Sequence, residues 1–283
     1  MTTTTLSQPV TTATEQASRL RTLGVIGSEW IKALSLRSIR WSIITSIVLG
    51  VAMSLAIGVA IRELMAEEPI PDHAAFLVTV TSFPANLLAL VFGVLGVFVF
   101  SSEYASGMIL STLTATPRRG TVLVAKAVVL TAIATMVAAL VVTAGVGIGV
   151  ALIPESAAAI WTTQVLTGLV GTVVFLVAVA LFSFAVAGIV RSTAGGITIV
   201  VAVVFLLPTL LQIVGSIADW PWVDLVMNYL PSTLGRVLGA GITDTIDPAA
   251  PTPSYWNALF ALVMWVVLPM NVAATMFKAR DAA

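Results

Sequence analysis

Two uninterrupted apolar runs, Phe76–Phe100 and Ala127–Ile153, constrain this 283-residue chain more than any other feature. Neither contains Asp, Glu, Lys, Arg or His, and each exceeds the roughly 20 residues that carry a helix across a bilayer. Comparable stretches elsewhere complete a set of six predicted spans, over 42–61, 76–100, 127–153, 163–190, 196–217 and 256–277. Hydrophobic residues make up 59% of the chain, charged residues 9%, and the mean hydropathy is +1.08. Soluble domains carry about a quarter charged residues. The expected fold is therefore all-α: a six-helix integral membrane protein, with one domain over 28–283. The Thr-rich segment 1–27 lacks the basic-then-apolar layout of a secretory signal and is expected to be a disordered tail.

Between those two runs lies Ser101–Lys126, a polar interruption carrying Glu103, Gly107, Pro117, Arg118, Arg119 and Lys126. Its side of the membrane follows from the basic residues. With a cytoplasmic N-terminus, every Lys and Arg except Arg62 and Arg236 falls on the inner side, which is the bias of the positive-inside rule. The protein is thus expected in the cell membrane, multi-pass, with both termini and the central segment cytoplasmic. Upstream, Ser28–Trp41 reads as an interfacial amphipathic helix. Trp30, Leu34 and Trp41 share one face, Glu29, Lys32 and Arg40 lie roughly opposite, and Arg37 falls near the apolar side.

Several chemistries are excluded or weakened. With no cysteine there is no disulfide and no thiolate ligand, and the single histidine, His73, rules out a His-rich metal centre. Charge-free spans argue against proton-coupled carriers and voltage sensors, which keep costly buried charges because function requires them. The triplet Gly145, Gly147, Gly149 spells GxGxG, but inside a span it lacks the strand-to-helix context of dinucleotide binding. Those glycines, with Gly93, Gly96, Gly168, Gly171 and Gly188, fit close helix packing better. Glu67, Glu68 and His73 resemble an acid/base cluster only loosely, and no Walker-A loop occurs, so the chain is not expected to hydrolyse ATP.

Two readings stay open for the amides at depth, Asn86 and Gln212. They either line a substrate path or make an interhelical hydrogen bond worth about 0.6 kcal/mol. The long connection Asp219–Tyr255 holds enough apolar residues over Val223–Leu238 for one short helix on or in the outer leaflet. A lid over an outward path is one use for it.

The central segment resembles the permease subunits of type-2 ATP-binding-cassette exporters. The matching positions are Glu103, Ser106-Gly107, Leu113, Pro117, Arg118-Arg119 and Ala125-Lys126, with Met108 in place of the usual threonine. Glu29-Trp30, Lys32 and Arg37 are similar to that family's lead-in, and Tyr229-Leu230-Pro231 to its outer-loop element. The resemblance implies a pair of permease subunits, homodimeric or heterodimeric, seated on separate ATPase subunits that carry ATP and Mg²⁺. The chain itself would bind no cofactor and no nucleic acid, and would touch membrane lipid. It further implies a cytoplasmic coupling helix after the second span, with Glu103, Gly107, Pro117, Arg118, Arg119 and Lys126 at or bracing the ATPase surface. The expected activity is outward movement of an amphipathic, lipid-like or drug-like substrate. A non-transporting sensor or immunity subunit, or an ATP-independent channel, remains the alternative. On this reading Glu103→Lys impairs coupling even if the complex still forms.

Overall fold

A computed structural model describes residues 11–65, 72–105, 107–108, 119–217, 220–243 and 252–279. Among these residues the chain is helical and contains no strand. Helix α1 covers Thr11–Ser35, α2 Arg37–Leu64, α3 His73–Ala105 and α4 Arg119–Leu152. A 3₁₀ helix follows at Pro154–Trp161, then α5 at Thr163–Val190 and α6 at Thr193–Ile217. Two short helices, α7 (Pro221–Asn228) and α8 (Pro231–Ala240), precede α9 (Tyr255–Ala279). Six of them, α2 to α6 and α9, are long and apolar enough to cross a membrane.

The boundaries differ from expectation where the polar segment meets the helices. No glycine or proline interrupts Ser101–Ala105, so α3 runs on to Ala105; Gly107, with φ of +70°, has the left-handed conformation common after helix ends. Beyond Pro117, α4 is already formed at Arg119. Glu103 and Lys126 therefore sit inside helices, not in a loop. Residues 109–118, with Pro117, Arg118 and the expected coupling helix, lie outside the described part. The brief turn expected at Pro154–Glu155 is an eight-residue 3₁₀ helix, anchored by Ser156 donating to the Ile153 carbonyl.

The N-terminal helix also departs from its predicted form. It begins at Thr11, so the latter part of the segment expected as a disordered tail is helical. It ends at Ser35, because Leu36 adopts an extended conformation (φ −72°, ψ 124°). Arg37 and Arg40 consequently belong to the first turns of the first span rather than to the same helix as Glu29, Trp30 and Lys32. Its orientation is inverted as well. Glu29 and Ala33 are buried and Trp30 is half-buried, whereas Leu23, Ile31 and Leu34 are exposed.

Inside the bundle, α3 and α5 make the most extensive pairing, and both are majority-buried, whereas little of α9 is buried. The pairing is close because glycines remove side chains at the crossing. A Cβ on Gly96 would collide with the Ala180 carbonyl, and Gly93 faces Ser183 and Val200. Helix α2 packs through a ridge at strict four-residue spacing: Ser42, Ser46, Gly50, Ser54 and Gly58 are all buried. Rows at i±4 are a natural packing ridge, and small residues let backbones approach without relying on hydrophobic driving force. In the GxGxG triplet, Gly145 and Gly149 face Thr81 and Leu77 while Gly147 faces open space. Packing, not phosphate, accounts for two of those three glycines.

The connection after α6 is not a single surface helix. Pro231 forces the preceding Leu230 into an extended conformation (φ −73°, ψ 147°), which divides the segment into α7 and α8. Helix α8 buries Pro231, Thr233, Leu234, Gly235, Leu238 and Gly239, wedged against α3, α5 and α9. The Leu238 and Gly239 carbonyls lie over Gly171 and Gly168 of α5. Polar ties hold the wedge: Thr167 Oγ1 accepts from Ile242 N (2.8 Å), and Trp265 Nε1 donates to the Tyr229 carbonyl (2.8 Å). The second half of the segment offered as a lid is thus packed into the core.

Candidate functional site

Two places in the bundle carry chemistry, one at each end. At the end where α2 begins and α3 finishes, four charged side chains close a ring. Lys126 Nζ lies 2.6 Å from Glu29 Oε2 and 2.9 Å from Glu103 Oε1. Lys32 Nζ lies 2.9 Å from Glu29 Oε1 and 3.1 Å from Glu103 Oε1. The signs alternate and sum to zero, so each charge has two opposite neighbours. Glu29, Glu103 and Lys126 are all at least 95% buried, while Lys32 closes the ring on the partly exposed side. Removing charges from water is expensive, and only good geometry with several partners offsets that cost.

Each ring member comes from a different local cause. Glu29 and Lys32 are one turn apart on α1, with Ala33 carrying the same face into the core. Glu103 reaches the ring because α3 continues past the apolar run, and Lys126 because α4 starts early. Burial alone would lower the Lys32 pKa, but hydrogen bonds to Glu29 and Glu103 and their negative field outweigh it, raising it above its usual 10.5. A group with a raised folded pKa stabilises fully below its unfolded value and loses that contribution as pH climbs past the folded one. The Lys32 contribution is thus intact at neutral pH and lost only at strongly alkaline pH.

Nearby, Arg191 supplies a second tie that sequence reasoning placed merely on the inner side. It caps α5 in the left-handed region (φ 55°, ψ 27°), and its guanidinium stands 5.4 Å from the Tyr104 ring centroid. Its Nη2 donates to the Met276 carbonyl of α9 at 3.4 Å, and Thr193 Oγ1 donates to Ser101 Oγ at 2.9 Å. The start or finish of α1, α3, α4, α5, α6 and α9 is linked here by polar contacts. Gly107 lies just beyond, and Met108 beside it is exposed.

The opposite half of the bundle holds a cavity. About 370 Å³ lies between α3, α5, α6, α7 and α8, lined by Asn86, Phe175, Val204, Gln212, Ser232, Thr233 and Arg236 among others. A second space of about 220 Å³ shares Asn86, Phe175 and Arg236 with it and extends along α3 to Thr79 and Phe83. Asn86 and Gln212, 126 positions apart in the sequence, thus meet in one site. Neither makes a hydrogen bond to a described residue. Several hydroxyls at depth behave differently: Ser46, Thr81, Thr172 and Ser183 each donate to a carbonyl one turn back. The cavity wall contributed by α6 is a π-helical turn, Ala202–Leu206, immediately before Pro208. Proline has no N–H to return to the Val204 carbonyl, and such wide turns recur at functional sites. Arg236 was visible in the sequence only as one of two outer cations; its position beside Asn86 was not.

No protein-family model matches the chain, and no characterised protein matches its sequence.

Proposed function

We propose that this chain is the membrane-spanning permease subunit of an ATP-driven exporter, coupled through its charge-ring end to separate ATPase subunits and moving an amphipathic substrate outward. The observation that carries the reading is the ring itself. Elements expected to meet a motor, namely α1 and the two helix ends flanking residues 106–118, are held together by buried charges rather than left to move separately. A force applied at that segment would act on α3 and α4 directly, as rigid-body transmission requires. The cavity in the other half, with its unbonded amides and π-helical wall, is the matching place for a substrate.

Tagged chain purified from its own cells under mild conditions should bring down a P-loop ATPase, and vesicles containing both should export only with ATP. Flux without nucleotide would make the chain a facilitator. Nucleotide turnover without flux would make it a sensor. The orientation has its own check, since the chain is cysteine-free. Met108→Cys and Trp220→Cys, both at exposed positions, should label from opposite sides, with an impermeant thiol reagent on intact cells reaching only the second. Labelling of Met108→Cys from outside reverses the topology and removes the coupling argument.

A further inference from the structure

We infer that the cavity between α3, α6 and α8 is a binding site for a single-chain amphiphile with an anionic head, a phosphate or carboxylate, held by Arg236. The two spaces of about 370 and 220 Å³ join at Asn86, Phe175 and Arg236. Together they have the size of an ordinary small-molecule site, with polar groups and apolar side chains sharing the walls. Among the described residues Arg236 is the sole charged one in either lining, and none of them brings a carboxylate to it there. It is exposed and, among the described residues, makes no ion pair and no hydrogen bond. A guanidinium left so, beside two amides, presents donors with a fork geometry that suits a planar or tetrahedral oxyanion.

Two further features favour a negative head at this place. Ser232 Oγ is buried without a hydrogen-bond partner, and it lines the larger space. It belongs to the first turn of α8, where Leu230 at the N-cap provides no side-chain acceptor. Ser232 and Arg236, one turn apart on α8, thus line the same space. For the tail, Phe175, Val204, Phe205 and Met227 supply the apolar wall. Phe83, which also lines the smaller space, is 47% exposed on the surface of the bundle. The chemistry is shared by lipids with anionic heads and by free anions, and the apolar wall favours the former.

As a cargo site this rests on the permease proposal, but binding by the purified chain does not depend on any ATPase. The probe is dodecyl phosphate, titrated into protein in neutral maltoside micelles and counted by native mass spectrometry. Wild type should retain one equivalent. Arg236→Gln should weaken retention at least tenfold, Arg236→Lys less, and Arg62→Gln, which changes the other cation predicted for this side, not at all. Inorganic phosphate at equal concentration should fail to displace the probe, and dodecylphosphocholine should compete at least tenfold more weakly. Equal retention by Arg236→Gln overturns the site, as does equal loss in Arg62→Gln. Displacement by inorganic phosphate overturns the amphiphile in favour of a bare anion site. Should Arg236→Gln melt lower than wild type, Asn86→Leu and Ser232→Ala provide the same test, and unchanged retention in both is then the overturning result. Selective binding without ATP-dependent export would sink the permease reading and leave the site standing. Export without such binding would do the reverse.

Discussion

Replacing Lys126 with methionine should be among the most damaging single changes in the chain. The substitution keeps the length of the side chain but removes the buried cation from between Glu29 and Glu103; among the described residues the partly exposed Lys32 still bridges them. Removing one partner of a buried ion pair costs about 3–5 kcal/mol, because the remaining charge stays desolvated and uncompensated. In detergent, Lys126→Met should melt well below wild type, and α1 should become open to protease first. Glu29→Gln should recover part of that loss when combined with Lys126→Met, giving a coupling energy of about 0.5–3 kcal/mol. Lys32→Met should be milder, since Lys32 is one third exposed and its interactions are screened. Wild-type melting of Lys126→Met would mean the ring is not what holds α1.

The same geometry changes what a charge reversal at Glu103 measures. Glu103 Oε1 is within 3.1 Å of both Lys32 and Lys126, so Glu103→Lys places three cations together in a largely buried pocket. Loss of transport would then report a damaged platform rather than a broken ATPase contact. Coupling is better probed at the exposed Met108, just outside the ring.

Gly96→Ala and Gly171→Ala should be the second severe class, although each adds only one methyl group. The new Cβ of Gly96 would meet the Ala180 carbonyl and lie 3.1 Å from Phe184 N; that of Gly171 would meet the Leu238 carbonyl. Backbone cannot swing aside as the end of a flexible side chain can. Overpacking of this kind costs about 1–3 kcal/mol, sometimes more. Gly147→Ala is the matched control, because nothing lies within 4 Å of the added atom. Thermal unfolding should place both packed variants below wild type and Gly147→Ala beside it. If Gly96→Ala melts with the control, α3 and α5 are not packed as closely as described.

Six spans, their order and the asymmetry of basic residues follow from the sequence by itself, because a bilayer allows so few solutions. Hydrocarbon demands long apolar helices, and 25 charge-free residues in a row admit little else. The small-residue ridge Ser42–Gly58 was also legible, since a four-residue period needs no tertiary knowledge, although attention to hydrophobicity passes over it. Other features depended on contacts between distant segments. Trp30 and Glu29 were assigned to opposite faces of an interfacial helix by polarity, yet Glu29 turned inward because Lys126, 97 positions away, compensates its charge. Val223–Leu238 read as one surface helix because apolar content does not reveal what it packs against; glycines on α5 admit its second half to the core. Asn86 and Gln212 line one cavity with Arg236, a neighbourhood that no local pattern reveals. Local pattern fixes which segments enter the membrane, but the partner of a buried charge and the walls of a cavity are properties of several helices at once.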